Sequence, residues 1–198
     1  MTPSSLDTLQ LLALAAALGW ASGLRAFLVM FAVGAAGLAG WVQLPSGLQG
    51  LASPVAVGIT GFLAFLEFVG DKIPLVDSAS DTVQTFIRIP AGAALAAAFF
   101  GDSGGAAQTL AALFGGGIAA GSHIAKAGAR AFINTSPEPV SNVAASFGED
   151  ALLGGGLWLA IVHPLIFLAA LGAFLLAAVW LARRLWRWLR SPPAPRRV

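Results

Sequence analysis

EFVGDKIPLVDSASD, residues 67–81, gathers Glu67, Asp71, Lys72, Asp77 and Asp81 into one stretch of a chain that elsewhere carries little charge. As an aqueous loop, the stretch joins two membrane spans and Lys72-Ile73-Pro74 marks the water boundary. As a buried segment, it requires the surrounding helices to enclose a polar layer. The two readings give different folds, and the rest of the sequence sets the expectation.

Composition fixes the class. Of 198 residues, 58% are hydrophobic and 10% charged, with a mean hydropathy of +0.83; soluble domains carry roughly 25% charge. An all-α, polytopic transmembrane helix bundle follows. There is no cysteine, which excludes disulfides, thiol nucleophiles and thiolate metal sites. The N-terminus offers Asp7 rather than a basic region ahead of its apolar run. The first helix is therefore expected to be retained, although Ala15-Ala16-Ala17 superficially resembles a cleavage site.

Crossing a hydrocarbon core of ~30 Å takes about 20 apolar residues. The runs 6–41, 54–70, 81–100, 109–134, 140–162 and 165–189 give six spans, or seven if the first run is a hairpin. That first run is too long for one straight span at about 1.5 Å per residue, and a break is expected near residues 19–23. Ser78, Ser80 and Asp81 are the expected caps of the third helix, and Pro90 its expected kink. GDSGG (101–105) reads as a turn, the prolines of TSPEPVSN (135–142) forbid regular helix, and His163-Pro164 stops the fifth span. The result is one transmembrane domain over 1–190 and a Pro/Arg tail over 191–198.

Arginines and tryptophans near the C-terminus place that end on the cytoplasmic side of a bacterial inner membrane. An even span count puts the N-terminus there too. Lipid-specific binding by the same basic cluster is the alternative use of this tail.

SGLRAFL (22–28) and AGARAFI (127–133) align without gaps around Gly-x-Arg-Ala-Phe. Each falls in the first helix of a three-helix half, the halves covering about 6–100 and 106–189. An odd number of spans per copy turns the second upside down, as in secondary transporters that bind substrate between inverted halves.

Helical spacing orders the polar residues. Glu67 and Asp71 are four apart; Asp81, Thr85 and Arg88 share a face, as do His123, Lys126, Arg130 and Asn134, and again Asn142, Ser146, Glu149 and Asp150. A charge at the centre of a span costs at least ~2.5 kcal/mol, so such faces turn inward and find partners. The candidate solute- or ion-binding residues are therefore Arg25, Glu67, Asp71, Lys72, Asp77, Asp81, Arg88, His123, Lys126, Arg130, Asn134, Glu138, Asn142, Glu149 and Asp150. Their seven carboxylates against five Lys and Arg leave an acidic excess suited to a cation or to protons. The aqueous-loop reading stays open for Asp77 and Asp81. Pro74, Pro137 and Pro139 allow either surface turns or unwound segments dipping into the membrane, which are tolerated where backbone lines a cavity or is buried in protein. The glycine triplets at 115–117 and 154–156 suit close helix packing, with hinging or backbone approach to a solute as the alternative.

EFVGDKIPLVDSASD, TFIRIPAGA, KAGARAFINTSPEPVSN and the His-Pro pair together resemble the bacterial membrane-protein family catalogued as domain of unknown function 4126. The resemblance runs from about Leu9 to Pro164 and implies a small polytopic membrane protein without an established activity. A weaker likeness is to cation/proton exchangers bearing Glu-x-Gly-Asp-Lys/Arg in each inverted half. Glu67-Phe68-Val69-Gly70-Asp71-Lys72 has one residue more than that motif, and the second half offers only Gly148-Glu149-Asp150.

The expected function is a carrier or channel for a small solute or ion, with the lipid bilayer as its surroundings. No cofactor and no nucleic acid are expected, and a homo-oligomer is left open. An intramembrane lipid enzyme built on Ser122, His123 and His163 lacks both HExxH and GxSxG, so the protein is not expected to be an enzyme. A structural or assembly subunit is the other alternative.

Overall fold

A computed structural model describes residues 7–135 and 139–190; within them the side chains of 74, 75, 77–79, 139, 185, 188 and 189 are outside the description. Six α-helices and two short 3-10 segments make up the described chain, which holds no strand. They are α1 (Thr8–Leu38), the 3-10 segment Ser46–Ala52, α2 (Pro54–Gly70), α3 (Pro74–Phe99), the 3-10 segment Gly101–Ser103, α4 (Gly105–Ile133), α5 (Pro139–Val162) and α6 (Pro164–Arg190).

The helix starts follow local chemistry. Asp7 and Gln10 form a reciprocal capping box at α1, and Ser53 caps α2 by accepting from the Ala56 N–H. Helices α2, α3, α5 and α6 each begin on proline, whose fixed φ and missing N–H suit the first helical position. Gly104, at φ 86°, makes the turn before α4, as GDSGG led one to expect.

One expectation about helix limits is corrected. Helix α3 begins at Pro74 rather than near Asp81, so Ser78, Ser80 and Asp81 lie inside it rather than at its start, and Pro90 lies within the same helix. The break expected near residues 19–23 of α1 falls two residues on, at Arg25, whose φ of −150° and ψ of 85° are non-helical. Gly19 is committed elsewhere: a Cβ there would stand 2.7 Å from the Gly115 carbonyl oxygen. Gly23 is likewise pressed against Ala119 and Ser122. Both glycines serve packing between helices.

The bend sets the topology. The first arm of α1 rises beside α4, with Gly19 against Gly115 and Lys126 Nζ donating to the Leu24 carbonyl. The second arm packs Phe31 against Gly61 of α2 and Gly34 against Leu51 and Val57. It leads to Gly47, where a Cβ would stand 2.6 Å from the Ala98 carbonyl oxygen near the end of α3. Ala15 of the first arm clusters with Ala96 of that same end. Both arms thus lead toward one end of α3.

That geometry corrects the inverted-halves expectation. The contacts Ala15 with Ala111, Gly19 with Gly115 and Leu24 with Lys126 climb together, so the first arm of α1 and α4 run parallel. The bend adds one reversal of direction to the number assumed for three-helix halves, and an even number returns the second Gly-x-Arg-Ala-Phe copy to the same orientation.

The side-chain distribution is that of a membrane protein. Phe86, Leu176 and Leu113 are 80%, 74% and 71% exposed, while the core is largely alanine, such as Ala13, Ala16 and Ala21. Small residues inside and large apolar ones outside fit helix association in lipid. Among the described residues, four helices are long and apolar enough to cross a membrane by length and composition: Thr8–Leu38 and three stretches within α3, α5 and α6. The bent pair Ser46–Ala52 and Pro54–Gly70, with 73° between its parts, is a fifth if the two parts form one span. Six spans were expected; α4 has the length, but Ser122, His123, Lys126 and Arg130 interrupt its apolar character, and these four are buried.

Candidate functional site

Segment 67–81 is helix, tight turn and helix. The turn's N–H groups are satisfied locally, Asp71 N–H by Glu67 O at 3.0 Å and Lys72 N–H by Val69 O at 3.2 Å. Glu67, Asp71 and Asp81 are buried, which overturns the aqueous-loop reading for Asp81. The Asp77 side chain and all of Glu138 lie outside the described residues. The unwound-segment expectation for 134–142 lies partly there too: Asn134 and Thr135 form a turn and α5 is already helical from Pro139.

Arg25, at the bend, reaches α5 and the turn after α2. Its Nη2 donates to Ser146 Oγ at 2.8 Å and stands 3.3 Å from Asp71 Oδ2. Its Nε lies 2.8 Å from Asp150 Oδ1. The latter is a charge contact rather than a hydrogen bond, because the approach is too oblique. Lys126 bridges Asp71 and Glu149 at 3.0 and 3.1 Å.

Arg130 grips Glu149 with two arms, Nε to Oε1 at 2.8 Å and Nη2 to Oε2 at 3.0 Å. Its Nη1 donates to the Asp71 carbonyl and to Asn142, and Asn142 in turn donates to Asn134 at 2.9 Å. The arginines of the two Gly-x-Arg-Ala-Phe copies therefore meet at Asp71, one on its carboxylate and one on its backbone. Lys72 donates to Phe68 O and Ser146 Oγ, with its ammonium 3.0 Å from the centre of the Phe68 ring.

Arg88 forms a second group. It donates to Asp81 at 2.7 Å, to Glu67 at 3.0 Å and to His123 Nδ1 at 3.3 Å. A guanidinium can only donate, so Nδ1 accepts and His123 is the neutral Nε2–H tautomer. That N–H points at Thr85 Oγ1, 2.7 Å away, whose hydroxyl donates to the Asp81 carbonyl. A cleft of about 290 Å³ between α3 and α4 opens beside this chain, lined in part by Asp81, Thr82, Thr85, His123 and Arg130.

Sequence reasoning missed three contributors. Gln84 is buried between Asp81 and Arg88 along α3, Ser22 Oγ donates to the Arg88 carbonyl, and Phe68 carries Lys72. Gln84 was findable, since it lies three residues after Asp81 and four before Arg88. Ser122, considered above as a nucleophile, bonds the backbone carbonyls of Trp20, Ile118 and Ala119. Of the glycine triplets, Gly115 presses on Gly92 and Gly156 on Trp20, while Gly117, Gly154 and Gly155 face open space.

Ion pairs enclosed by apolar-faced helices define a polytopic helical membrane protein with an interior ionic layer. The chain belongs to the family described as "Domain of unknown function (DUF4126)", whose model matches residues 12–184. No curated protein and no solved structure matches it.

Proposed function

We propose that the protein is a membrane transport protein, a carrier or channel for a small solute or ion that works through this ionic layer. The observation that carries the reading is the burial of Arg25, Glu67, Asp71, Arg88 and Arg130 to 3% exposure or less. Buried ion pairs are often no more stabilising than well-packed apolar residues of the same volume, so fold stability alone gives little reason for them. The α3–α4 cleft gives the layer a route outward.

Helix α6 follows α5 through a tight turn, and α5 runs opposite to the first arm of α1, from Ser146 at Arg25 to Gly156 at Trp20. Arg183, Arg184, Arg187 and Arg190 of α6 therefore sit toward the same end of the bundle as the ionic layer. In the orientation expected from these arginines, that end faces the cytoplasm of a bacterial inner membrane.

Proteoliposomes loaded with a pH-sensitive dye and challenged with proton, sodium or potassium gradients test the reading. A flux lost in folded Glu67→Gln protein is expected; unchanged flux in both Glu67→Gln and Arg130→Gln would remove the proposed site. A structural or assembly subunit is the second reading. It is favoured by the pairing of charges among the described residues of the layer, where Arg25, Lys72, Arg88, Lys126 and Arg130 face Glu67, Asp71, Asp81, Glu149 and Asp150. Copurification of a stoichiometric partner, with no flux, would decide for it.

A further inference from the structure

Among the described residues, charge is not shared evenly across the layer. Around Asp71, the cations Arg25, Lys72, Lys126 and Arg130 face the carboxylates Asp71, Glu149 and Asp150. Around Arg88, one guanidinium serves both Glu67 and Asp81. His123 adds no charge there, since its Nδ1 accepts from Arg88.

The excess carboxylate leaves a mark in the hydrogen bonding. Arg88 Nη2 reaches Glu67 Oε1 at 3.0 Å, but Glu67 Oε2 and Arg88 Nε are both buried without a hydrogen-bond partner. Gln84 Oε1, on the turn of α3 before Arg88, is a further buried acceptor without a donor. A buried polar atom left unbonded is costly, and more so when it is charged.

We propose that Glu67 holds a proton on Oε2 at neutral pH, and that the species bound at this end of the layer is therefore a proton. The charged groups nearest the carboxyl are Arg88 from α3, Lys126 from α4 and Asp71 from the following turn, with Arg25 of α1 behind Asp71. Lys126 makes its ion pairs with Asp71 and Glu149, and among the described residues Arg88 is the cation in ion-pair contact with both Glu67 and Asp81. One proton cancels the surplus negative charge and converts an acceptor that has no donor into a donor. The proton comes from water, forms an O–H bond at Oε2 and leaves as the same bond breaks, with no other reactant.

The proton's part in transport rests on the function proposed above; its presence on Glu67 does not. Infrared spectroscopy of the protein in lipid nanodiscs at neutral pH reads it directly. Wild-type protein is expected to show the carbonyl stretch of a protonated carboxylic acid, shifted in D2O, lost in Glu67→Gln and displaced in Glu67→Asp. Should Glu67→Gln fail to fold, Glu67→Asp keeps the carboxyl and is expected to displace the band. A spectrum without the band, as a completed two-armed Arg88–Glu67 pair would give, overturns the proposal. So does a band that survives Glu67→Gln or keeps its position in Glu67→Asp. A Glu67 band in protein that passes no flux overturns transport and leaves the proton site standing.

Discussion

Two arginine–glutamate pairs sit in the same layer, and they are built differently. Arg130 and Glu149 meet with two parallel hydrogen bonds of 2.8 and 3.0 Å, and the remaining arm of Arg130 ties the α2–α3 turn to the start of α5. Arg88 and Glu67 meet through one bond of 3.0 Å and leave an Nε and an Oε2 over. A planar fork matched on both arms gives energy and fixed geometry together. The first pair is a closed joint, whereas the second retains bonding capacity, and that contrast separates a group that holds helices from one that can take something up.

Substitutions can break or sharpen the contrast. The largest effect is expected for Arg130→Met, which strips Glu149 of its two-armed partner: a loss of about 3–5 kcal/mol, as for a broken buried pair, seen as a large fall in thermal stability in detergent. A loss below about 1 kcal/mol would mean that the joint holds nothing. Glu149→Gln keeps one acceptor for Arg130 but removes the charge, and should cost about 1.5–3 kcal/mol in the same melt.

Glu67→Gln should cost less than about 1 kcal/mol, because Oε1 still accepts from Arg88 and the added amide supplies a donor on the side where Glu67 has none. Equal destabilisation at Glu67 and Glu149 would erase the contrast. Smallest of all is Gln84→Leu, which removes the 2.8 Å bond from Nε2 to Ser80 Oγ together with an acceptor that has no donor; the two offset, and stability should change by less than about 0.5 kcal/mol. A clear loss there would show that Gln84 Oε1 is bonded after all.

Much of the helical frame was legible because its signals are local. The run 54–70 coincides with α2, since Ser53 and Pro54 announce its start, and Pro164 does the same for α6. The start of α3 was misplaced because Ser78, Ser80 and Asp81 resemble caps, although Pro74 is itself a good first helical residue. The bend at Arg25 carries no proline or glycine at its own position, so the sequence pointed to the nearby glycines. The topology turned on a choice left open: with the first run taken as one span rather than a hairpin, the repeated Gly-x-Arg-Ala-Phe segments read as inverted copies, whereas the first arm of α1 and α4 run parallel.

For the ionic layer, spacing told which side chains share a face, because four residues make about one helical turn. Spacing could not tell which faces meet. Asp71 and Lys126 are 55 residues apart, and Arg25 and Ser146 are 121 apart. Nor did net charge reveal that Arg88 alone serves two carboxylates, since that follows from how α2, α3 and α4 pack.

Arg25 is both the vertebra at which α1 changes course and the side chain clasped by Asp71, Asp150 and Ser146. Shape and ionisation are thereby fastened at a single point. Neutralising either carboxylate slackens the clasp around the bend, so anything that titrates there also tugs on the whole distal half of the longest helix.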